Sequence, residues 1–457
     1  MKIGLVLDNP KRDLYGLLLV AYHLIKLRHE VVVIPMYLQG YDIPLLGIDV
    51  VLLNYARPNN LELIKTYSAL GIRVVVLDTE GGVLSESGSD SPDRWAHSVR
   101  EYGVTEYIDA YCFWGEKVYS SFLKYSGIAK EKLYLTGCPR FDIFHPKWKR
   151  LFGESLSSYV LVNTNFSAVN PLFTKDSEAE YKIFLSAGWD AEYIRRVIDE
   201  LSDLFPRFVA EVKYIVANNP EKKFVIRPHP FEDPDYYRKE FVGIPNVCIE
   251  EKNNIAEAVL GAECIIHLNC GSAVEAYMAG ALPVSLEYLN TKFLRQHTPL
   301  PSMVSYEARK RKHMELLFED LDEVSRAHFR KRLYERHIEP WFFKSDGGAS
   351  ERVAAVLDGI KVKGLRSSSL SIKAGVSSPR AGQLVQGVAS YFLGSWLVSH
   401  MRRRLTPNRS GKFIGRMQLK TIFDKFSQYD KVIAGVQIAH ARHPISRVPL
   451  SSFLIVL

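Results

Sequence analysis

The sequence predicts an α/β protein with two Rossmann-like domains that face a cleft, followed by a basic C-terminal extension. Short β-branched runs alternate with amphipathic runs over the first 140 residues, and the same alternation begins again near residue 159. A length of 457 residues also exceeds what one ordinary core accommodates. We expect an N-terminal domain at 1–145, a second domain at 158–304, a helical segment at 305–360 that packs back on the domains, and an extension at 361–457.

The strands of the first half are predicted from runs rich in Val, Ile and Leu. Amphipathic segments at 13–27 and 59–70 separate several of these runs, which is the pattern of a doubly wound parallel sheet. Residues 141–157 interrupt the pattern with Pro146, aromatic and polar residues, and they are predicted to form a linker. The predicted strands are Ile3–Leu7, Val31–Ile34, Val50–Leu53, Arg73–Leu77, Ala110–Trp114 and Leu133–Leu135.

The second half repeats this architecture without repeating the sequence. Helices are predicted near 190–218, 255–260 and 272–279, and a later helix at 351–357 follows the loop Ser345–Ser350. The predicted strands are Tyr159–Asn163, Phe224–Arg227, Val247–Glu250, Cys264–Leu268 and Leu282–Ser285.

Composition and cysteine usage are those of a globular cytosolic protein. Hydrophobic residues make up 47% of the chain and aromatic residues 12%, which excludes a disordered or collagen-like class. The five cysteines have no C-x-x-C spacing, as expected of free thiols in a reducing compartment. The N-terminal apolar run ends at Asp8, too early for the core of a signal peptide. We therefore expect a cytoplasmic location.

The positive charge of the chain is concentrated in its C-terminal extension. Residues 361–457 hold 16 Lys and Arg against 2 Asp and Glu, whereas the first 360 residues hold 43 against 49. The uncharged run 381–399 precedes Arg402–Arg404 and contains 11 apolar residues of 19, which favours an interfacial helix or a small packed element over a membrane-spanning one. We expect residues 381–457 to bind an anionic membrane surface, with no nucleic-acid partner, and a chain ending at Ile360 to be soluble.

Two motifs predict a phosphate site in the second domain. Arg227-Pro228-His229-Pro230 closes one predicted strand, and Gly271-Ser272 begins a helix shortly after another. In an open α/β sheet such positions meet in one crevice, where ligands bind. The helix N-terminus favours an anion, and Arg227 and His229 add charge or hydrogen bonds to it. A nucleotide is the anion that this arrangement indicates.

Three further residues of this domain are candidates for nucleotide or donor binding. Glu275 lies three residues after Ser272, so it either caps its own helix or faces the crevice and binds a ribose. Asn163 and Asn165 follow the first strand of the domain and lie at the same rim, or else form an Asn-rich turn.

A general base is predicted in the first domain. Asp78 and Glu80 follow the strand that ends at Leu77, beside Gly81 and Gly82, where a carboxylate can take a proton from an acceptor hydroxyl. Glu80 is the first candidate and Asp78 the second, against the alternative of exposed turn carboxylates. No metal site and no cofactor are predicted, because no Cys or His group has zinc spacing and the P-loop and G-x-G-x-x-G patterns are absent.

An ordered set of motifs resembles one protein family. DTEGG, FWGEKVYSSF, LTGCPRFD, LVNTNF, RPHP and HLNCGSAVEAYMAGALPVSLE are similar to the bacterial surface carbohydrate biosynthesis proteins, a GT-B-type glycosyltransferase group. The resemblance covers residues 1–358 and extends distantly to capsule 3-deoxy-manno-octulosonic acid transferases, polysialyltransferases and glycerophosphotransferases with a cytidine-nucleotide donor. It implies that His229 and Ser272 hold the donor phosphate and, more weakly, that Glu80 is the base.

We therefore expect a metal-independent transferase that moves a sugar from a nucleotide-sugar donor, with a CMP-linked sugar as one candidate. Its acceptor would be a surface polysaccharide or a lipid-linked glycan precursor. Two alternatives stay open: a non-hydrolysing sugar-nucleotide 2-epimerase of the same architecture, and a non-catalytic protein that binds glycan or nucleic acid.

Overall fold

A computed structural model describes residues 1–79, 91–152, 158–186, 189–251, 254–362, 414–444, 447 and 449–457. Their contacts divide the chain into two compact units. Unit 1 contains the described residues within Met1–Gly82, Glu86–Ile143 and Trp341–Leu457, and unit 2 those within Phe144–Pro340. Each unit is a Rossmann-like α/β unit around its own sheet, as the sequence predicts.

The strands form one sheet in each unit. Unit 1 has the order β13-β14-β2-β1-β3-β4-β5-β6, and unit 2 has the order β12-β11-β10-β7-β8-β9. The strands are β1 Lys2–Leu7, β2 Glu30–Pro35, β3 Val50–Leu53, β4 Arg73–Leu77, β5 Ala110–Phe113, β6 Leu133–Leu135, β7 Tyr159–Asn163, β8 Phe224–Arg227, β9 Val247–Ile249, β10 Ala262–His267, β11 Leu282–Ser285, β12 Tyr306–Glu307, β13 Gln437–Arg442 and β14 Pro449–Val456.

The helices cover the two sheets. In chain order they are α1 Pro10–Lys26, α2 Gln39–Asp42, α3 Leu61–Ala69, α4 Pro92–Glu101, α5 Glu116–Tyr125, α6 Pro139–Asp142, α7 Pro146–Phe152, α8 Ser177–Ser186, α9 Ala191–Ala217, α10 Pro234–Glu240, α11 Ile255–Leu260, α12 Ser272–Ala279, α13 Lys292–His297, α14 Pro299–Met303, α15 Arg311–Glu319, α16 Leu321–Phe329, α17 Glu339–Phe342, α18 Ala349–Asp358 and α19 Arg416–Tyr429.

The central strands of unit 1 are parallel and buried. Strands β1 to β6 pair in parallel, and β1, β2, β3 and β4 present almost continuous buried Val, Ile and Leu side chains. Helix α1 begins at the cap residue Asn9, whose side chain accepts from the Lys11 N–H, with Pro10 in the first turn. Gly16 lets α1 approach α6, because a Cβ at this position would lie 2.5 Å from the backbone nitrogen of Arg140.

The predicted extension is in part a folded component of unit 1. Strand β14 pairs antiparallel with β2, placing Phe453 opposite Val33, and β13 pairs with β14. On α19, Phe423 and Phe426 are buried, and the Phe426 ring lies 5.4 Å from the ring of Tyr22 on α1. The side chains of these two aromatic residues therefore pack inside unit 1 and are not available to a membrane surface. The run 381–399 and Arg402–Arg404 lie outside the described residues.

Polar contacts also tie this C-terminal segment to unit 1. Asp430 accepts a hydrogen bond of 2.6 Å from the Tyr22 hydroxyl and forms an ion pair with Lys26 at 2.7 Å. Ser452 donates its hydroxyl to Asp42 at 2.6 Å in a buried environment. The structure thus argues against the expectation that a chain ending at Ile360 is a complete soluble unit.

The helical segment predicted at 305–360 is divided between the two units. Helices α15 and α16 belong to unit 2, whereas α18 belongs to unit 1. At the start of α18, the backbone N–H groups of Ala349 and Ser350 donate to the Asp142 carboxylate at 3.1 and 2.7 Å. The boundary between the units at Ile143 and Phe144 lies two residues before the predicted one at 145.

Candidate functional site

The candidate site in unit 2 lies where the direction of strand addition reverses. From β7 the chain adds β8 and β9 on one side of the sheet and then β10, β11 and β12 on the other. All five neighbouring pairs are parallel, so the carboxyl ends of these strands lie at one edge. Asn163, Arg227 and His267 are the last residues of β7, β8 and β10. In doubly wound sheets this switch point is the usual place for a ligand.

A hydrogen bond joins the two sides of the switch point. The Asn163 side-chain N–H donates to the Ser272 hydroxyl oxygen at 2.7 Å, and both residues are buried. Within the part of the chain that the structure describes, the Asn163 Oδ1 has no hydrogen-bond partner. A buried acceptor without a donor is costly, and a ligand hydroxyl would satisfy it. The Ser272 proton can point to the Cys270 sulfur, 3.1 Å away, or to a ligand.

Arg227 brings a buried cation to this edge. Arg227 as a whole is only 8% exposed. Burial lowers the pKa of Arg227, and the negative charge of Glu275 is the largest influence in the opposite direction. Glu275 is itself 5% exposed. The two predicted site residues therefore form an electrostatic pair, in which Glu275 offsets part of the charge available to an anion.

His229 lies just beyond the end of β8, as the RPHP motif predicts. Its Nδ1 accepts the Phe231 backbone N–H at 3.3 Å, so the neutral ring carries its proton on Nε2. The ring is partly exposed and can donate this proton to a ligand oxygen. The loop also closes on itself, because the Glu232 N–H donates to the His229 carbonyl at 2.8 Å.

If Ser272 were the N-cap, helix α12 would begin at residue 273. It begins one residue earlier, at Ser272. Gly271 is the N-cap and has φ −57° and ψ −22°, so Ser272 is already inside the helix. The capping-box interpretation of Glu275 therefore fails, since the N-cap has no side chain to complete it. The N–H groups of Ala273 and Val274 donate to the carbonyls of Cys270 and Gly271 at 3.1 Å. The helix thus offers a ligand its dipole rather than these two amides.

Asn165 contributes to the rim in a different way from Asn163. It is exposed and donates to the Asn269 carbonyl at 3.2 Å, which links the loops that follow β7 and β10. Asn269 has a left-handed backbone, with φ +50°, and its side chain exchanges hydrogen bonds with Asn290 at 2.9 and 3.0 Å. The structure therefore brings Asn163, Arg227, His229, Ser272 and Glu275 together and places Asn165 at their border.

A buried polar network around Glu232 at this edge was not predicted from the sequence. Glu232 is 1% exposed and accepts from the Thr164 hydroxyl at 2.9 Å, the Phe166 N–H at 2.7 Å and the Tyr237 hydroxyl at 2.5 Å. The Thr164 oxygen in turn accepts the His229 N–H at 3.2 Å. Two features of the sequence could have indicated this network. Glu232 lies three residues after His229 of the RPHP motif, and Thr164 supplies a hydroxyl in the NTNF motif.

The candidate base in unit 1 is only partly described. Glu80 lies outside the described residues. Asp78 is 2% exposed, and its carboxylate forms an ion pair with Arg57 at 3.2 Å. Asp78 and Thr79 line a pocket at the carboxyl edge of the sheet. The pocket wall is mostly apolar, and its remaining polar residues are Asp13, Asn54 and Arg140.

The acidic residues after β1 are engaged with arginines. Arg12 donates to Asp8 at 3.1 Å and to Asp13 at 2.8 Å. Arg140 approaches Asp13 at 3.8 Å. In the described parts of both units, no group of three or more His, Cys, Asp or Glu could hold a metal ion. The described helices include none long and apolar enough to cross a bilayer.

Comparison with known proteins gives similarities of structure only. No protein-family model matches the chain, and no curated protein matches it. It is similar to the UDP-GlcNAc 2-epimerase from Methanocaldococcus jannaschii, with 14% identity, coverage of 78% of this chain and 99% of that chain, and a TM-score of 0.45. It is also similar to the UDP-GlcNAc 2-epimerase from Neisseria meningitidis bound to UDP-GlcNAc, with 13% identity, 78% and 99% coverage and a TM-score of 0.44. The wall teichoic acid polymerase TagF gives 12% identity, 78% and 88% coverage and a TM-score of 0.44. At these values the likeness concerns backbone architecture and carries nothing about substrates.

Proposed function

We propose that unit 2 binds the phosphate of a nucleotide sugar and that the protein transfers the sugar to a surface polysaccharide or lipid-linked glycan precursor. One observation carries this proposal: the hydrogen bond from Asn163 to Ser272 across the switch point of the sheet. It aligns two buried polar side chains beside a buried arginine, at the edge where open α/β sheets bind ligands. An apolar core has no need of this arrangement.

The chemistry follows from the donors at this edge. When the bond between sugar and phosphate breaks, negative charge develops on the departing phosphate. The Ser272 hydroxyl and the His229 Nε2–H can donate to it, while Arg227 and the N-terminus of α12 supply positive potential. These groups stabilise the leaving phosphate without a metal ion. The Asn163 Oδ1, which no described residue contacts by a hydrogen bond, suits a hydroxyl of the ribose or of the sugar.

The proton acceptor is proposed to be Glu80. Asp78, the second candidate, is buried and already paired with Arg57, so an acceptor hydroxyl has poor access to it. The basic stretch around Arg402–Arg404 is proposed to bring the enzyme to an anionic membrane surface, where a lipid-linked acceptor would be found.

Calorimetry with CMP and UDP tests the binding site. We expect His229→Ala and Ser272→Ala each to weaken binding by about 1–3 kcal/mol, because a charged phosphate loses one hydrogen bond. Ser126→Ala is the matched control, since Ser126 is fully buried in unit 1 and bonds the Phe122 carbonyl at 2.6 Å. Unchanged affinity in both site variants would remove the phosphate assignment.

Incubation with nucleotide sugars, with and without acceptor, tests the reaction. Transfer that requires an acceptor supports the proposal, whereas conversion of the sugar without any acceptor selects a 2-epimerase instead. Glu80→Gln should keep nucleotide binding and reduce transfer by about a hundredfold or more. If Glu80→Gln retains full turnover and Asp78→Asn does not, the base is Asp78.

A further inference from the structure

We infer that Glu232 is a positioning residue, which holds the loops after β7 and β8 together and thereby places His229 against the phosphate. The inference rests on the proposed nucleotide site of unit 2. Glu232 is only 1% exposed, so it contacts neighbouring protein groups and acts on the site through them.

The carboxylate gathers donors from both loops and from α10. One oxygen accepts from the Phe166 N–H at 2.7 Å, and the other accepts from the Thr164 hydroxyl at 2.9 Å and the Tyr237 hydroxyl at 2.5 Å. Thr164 and Phe166 belong to the loop that begins at Asn163, while Glu232 follows the RPHP motif. A single side chain thus bridges segments about 68 residues apart in sequence.

Thr164 passes this restraint to His229. Its hydroxyl donates to Glu232, which leaves the oxygen free to accept the His229 N–H at 3.2 Å. The backbone N–H of His229 can only donate, so the Thr164 oxygen is its acceptor. A chain of hydrogen bonds therefore runs from His229 through Thr164 to Glu232.

The backbone adds two restraints to the same loop. The Glu232 N–H closes the turn on the His229 carbonyl at 2.8 Å, and the Asp233 N–H donates to the Asn170 carbonyl at 3.0 Å. This second bond belongs to the antiparallel bridge between Pro171 and Glu232. The His229 ring is thus carried by a loop that is fixed on both sides, and Glu232 takes part in this through its backbone as well as its side chain.

Burial raises the pKa of Glu232, and the hydrogen bonds from Tyr237, Phe166 and Thr164 offset only part of this rise. Glutamine has one carbonyl oxygen and one NH₂ group. In Glu232→Gln the NH₂ group therefore faces at least one group that itself donates, and that hydrogen bond is lost. Threonine 164 offers a second, nearly isosteric change, because Thr164→Val removes the hydroxyl and Thr164→Ser keeps it.

Asp142 in unit 1 provides a matched control. It is 3% exposed and accepts from three donors, the N–H groups of Ala349 and Ser350 and the Ser350 hydroxyl at 2.6 Å. Asp142→Asn therefore removes the same kind of buried carboxylate from the other unit. Any general loss of stability should be similar in the two variants.

Hydrogen exchange of the full chain, read by mass spectrometry, tests the positioning directly. We expect Glu232→Gln and Thr164→Val to speed exchange in peptides covering 163–170 and 228–233, and we expect Asp142→Asn and Thr164→Ser to leave these peptides unchanged. Protection equal to wild type in both peptides of Glu232→Gln and Thr164→Val would overturn the inference.

A double-mutant cycle on the affinity for CMP and UDP supplies the functional readout. Glu232→Gln should weaken binding roughly tenfold in the wild-type background and have little further effect beside His229→Ala. A purely structural role predicts that the two losses add, and full additivity would also overturn the inference. If the wild-type chain binds neither nucleotide, the proposed function fails, and hydrogen exchange alone decides the role of Glu232.

Discussion

Acid should destabilise unit 2 through His267, the last residue of β10. The ring is fully buried; its Nε2 lies 2.8 Å from the Ser305 hydroxyl, and its Nδ1 accepts the Cys270 N–H at 3.5 Å. Ser305 donates its own proton to the Pro301 carbonyl at 2.6 Å, so it accepts from the Nε2–H. Both ring nitrogens are used by the neutral tautomer, and burial lowers the pKa of His267 to about 4.

The sign and size of the effect follow from this shift. The unfolded chain binds a proton at His267 below about pH 6.5, while the folded chain resists protonation down to about pH 4. Stability is therefore complete above pH 6.5 and falls as the pH is lowered toward 4. With about 1.4 kcal/mol for each pH unit between the two pKa values, the loss from pH 7 to pH 5 is about 2 kcal/mol.

Urea unfolding at pH 7, 6 and 5 measures this loss. His267→Gln cannot titrate, so the variant should be less stable than wild type at pH 7 and should lose about 2 kcal/mol less on going to pH 5. All other titrating groups are common to both proteins and cancel in the difference. The same pH dependence in wild type and variant would refute the assignment of a buried neutral ring to His267.

Three further predictions concern packing and the space beside the site. Gly16→Ala should lower the free energy of unfolding by about 1–3 kcal/mol, seen in thermal melts, because its Cβ would meet the Arg140 backbone at 2.5 Å; an unchanged melt would contradict the close contact. A Cβ at Gly271 would meet no atom within 4 Å, so Gly271→Ala should keep the melting temperature. Because the methyl group would occupy space at the proposed phosphate site, the variant should weaken CMP or UDP binding in calorimetry; unchanged affinity would mean that the ligand lies elsewhere. Removal of residues 449–457 exposes the edge of β2 and removes the buried side chains of Phe453 and Ile455, whose burial contributes about 1.5–3 kcal/mol each to stability. The shortened protein should therefore aggregate in size-exclusion chromatography; a monomeric, folded product would contradict this.

The sequence predicts strands β1 to β11 well, because each is a short apolar run that can be recognised from its own residues. Runs such as Val50–Leu53 are apolar on both faces and end at turn residues, so a buried parallel strand is the consistent choice. The motifs at 227–230 and 271–272 lie at or after the ends of such strands, so their position at the carboxyl edge of the sheet follows from the strands. A site at strand ends is predictable once the strands are.

The C-terminal segment shows where this reasoning fails. Leu419, Ile422, Phe423 and Phe426 have the spacing of a buried helix face, and all four are buried. The positive charge of residues 361–457, on which the expectation of a membrane surface rests, gives no indication of this buried face. Pairing of β14 with β2 joins segments more than 400 residues apart, and no local pattern specifies such a partner. The net charge of a segment does not show which of its residues are buried, whereas the apolar spacing on α19 does.

The start of α12 shows how a shift of one residue changes the chemistry of a site. The spacing of Ser272 and Glu275 fits a capping box only if Ser272 is the N-cap. Gly271 adopts helical backbone angles and is itself the N-cap, so Ser272 is the first residue of the helix. The Ser272 hydroxyl therefore does not cap the helix and accepts a hydrogen bond from Asn163. Glu275 is likewise released from capping and lies buried beside Arg227. Helix boundaries inferred from sequence are uncertain by more than one residue, so periodicity alone cannot choose between a capping pair and an anion site.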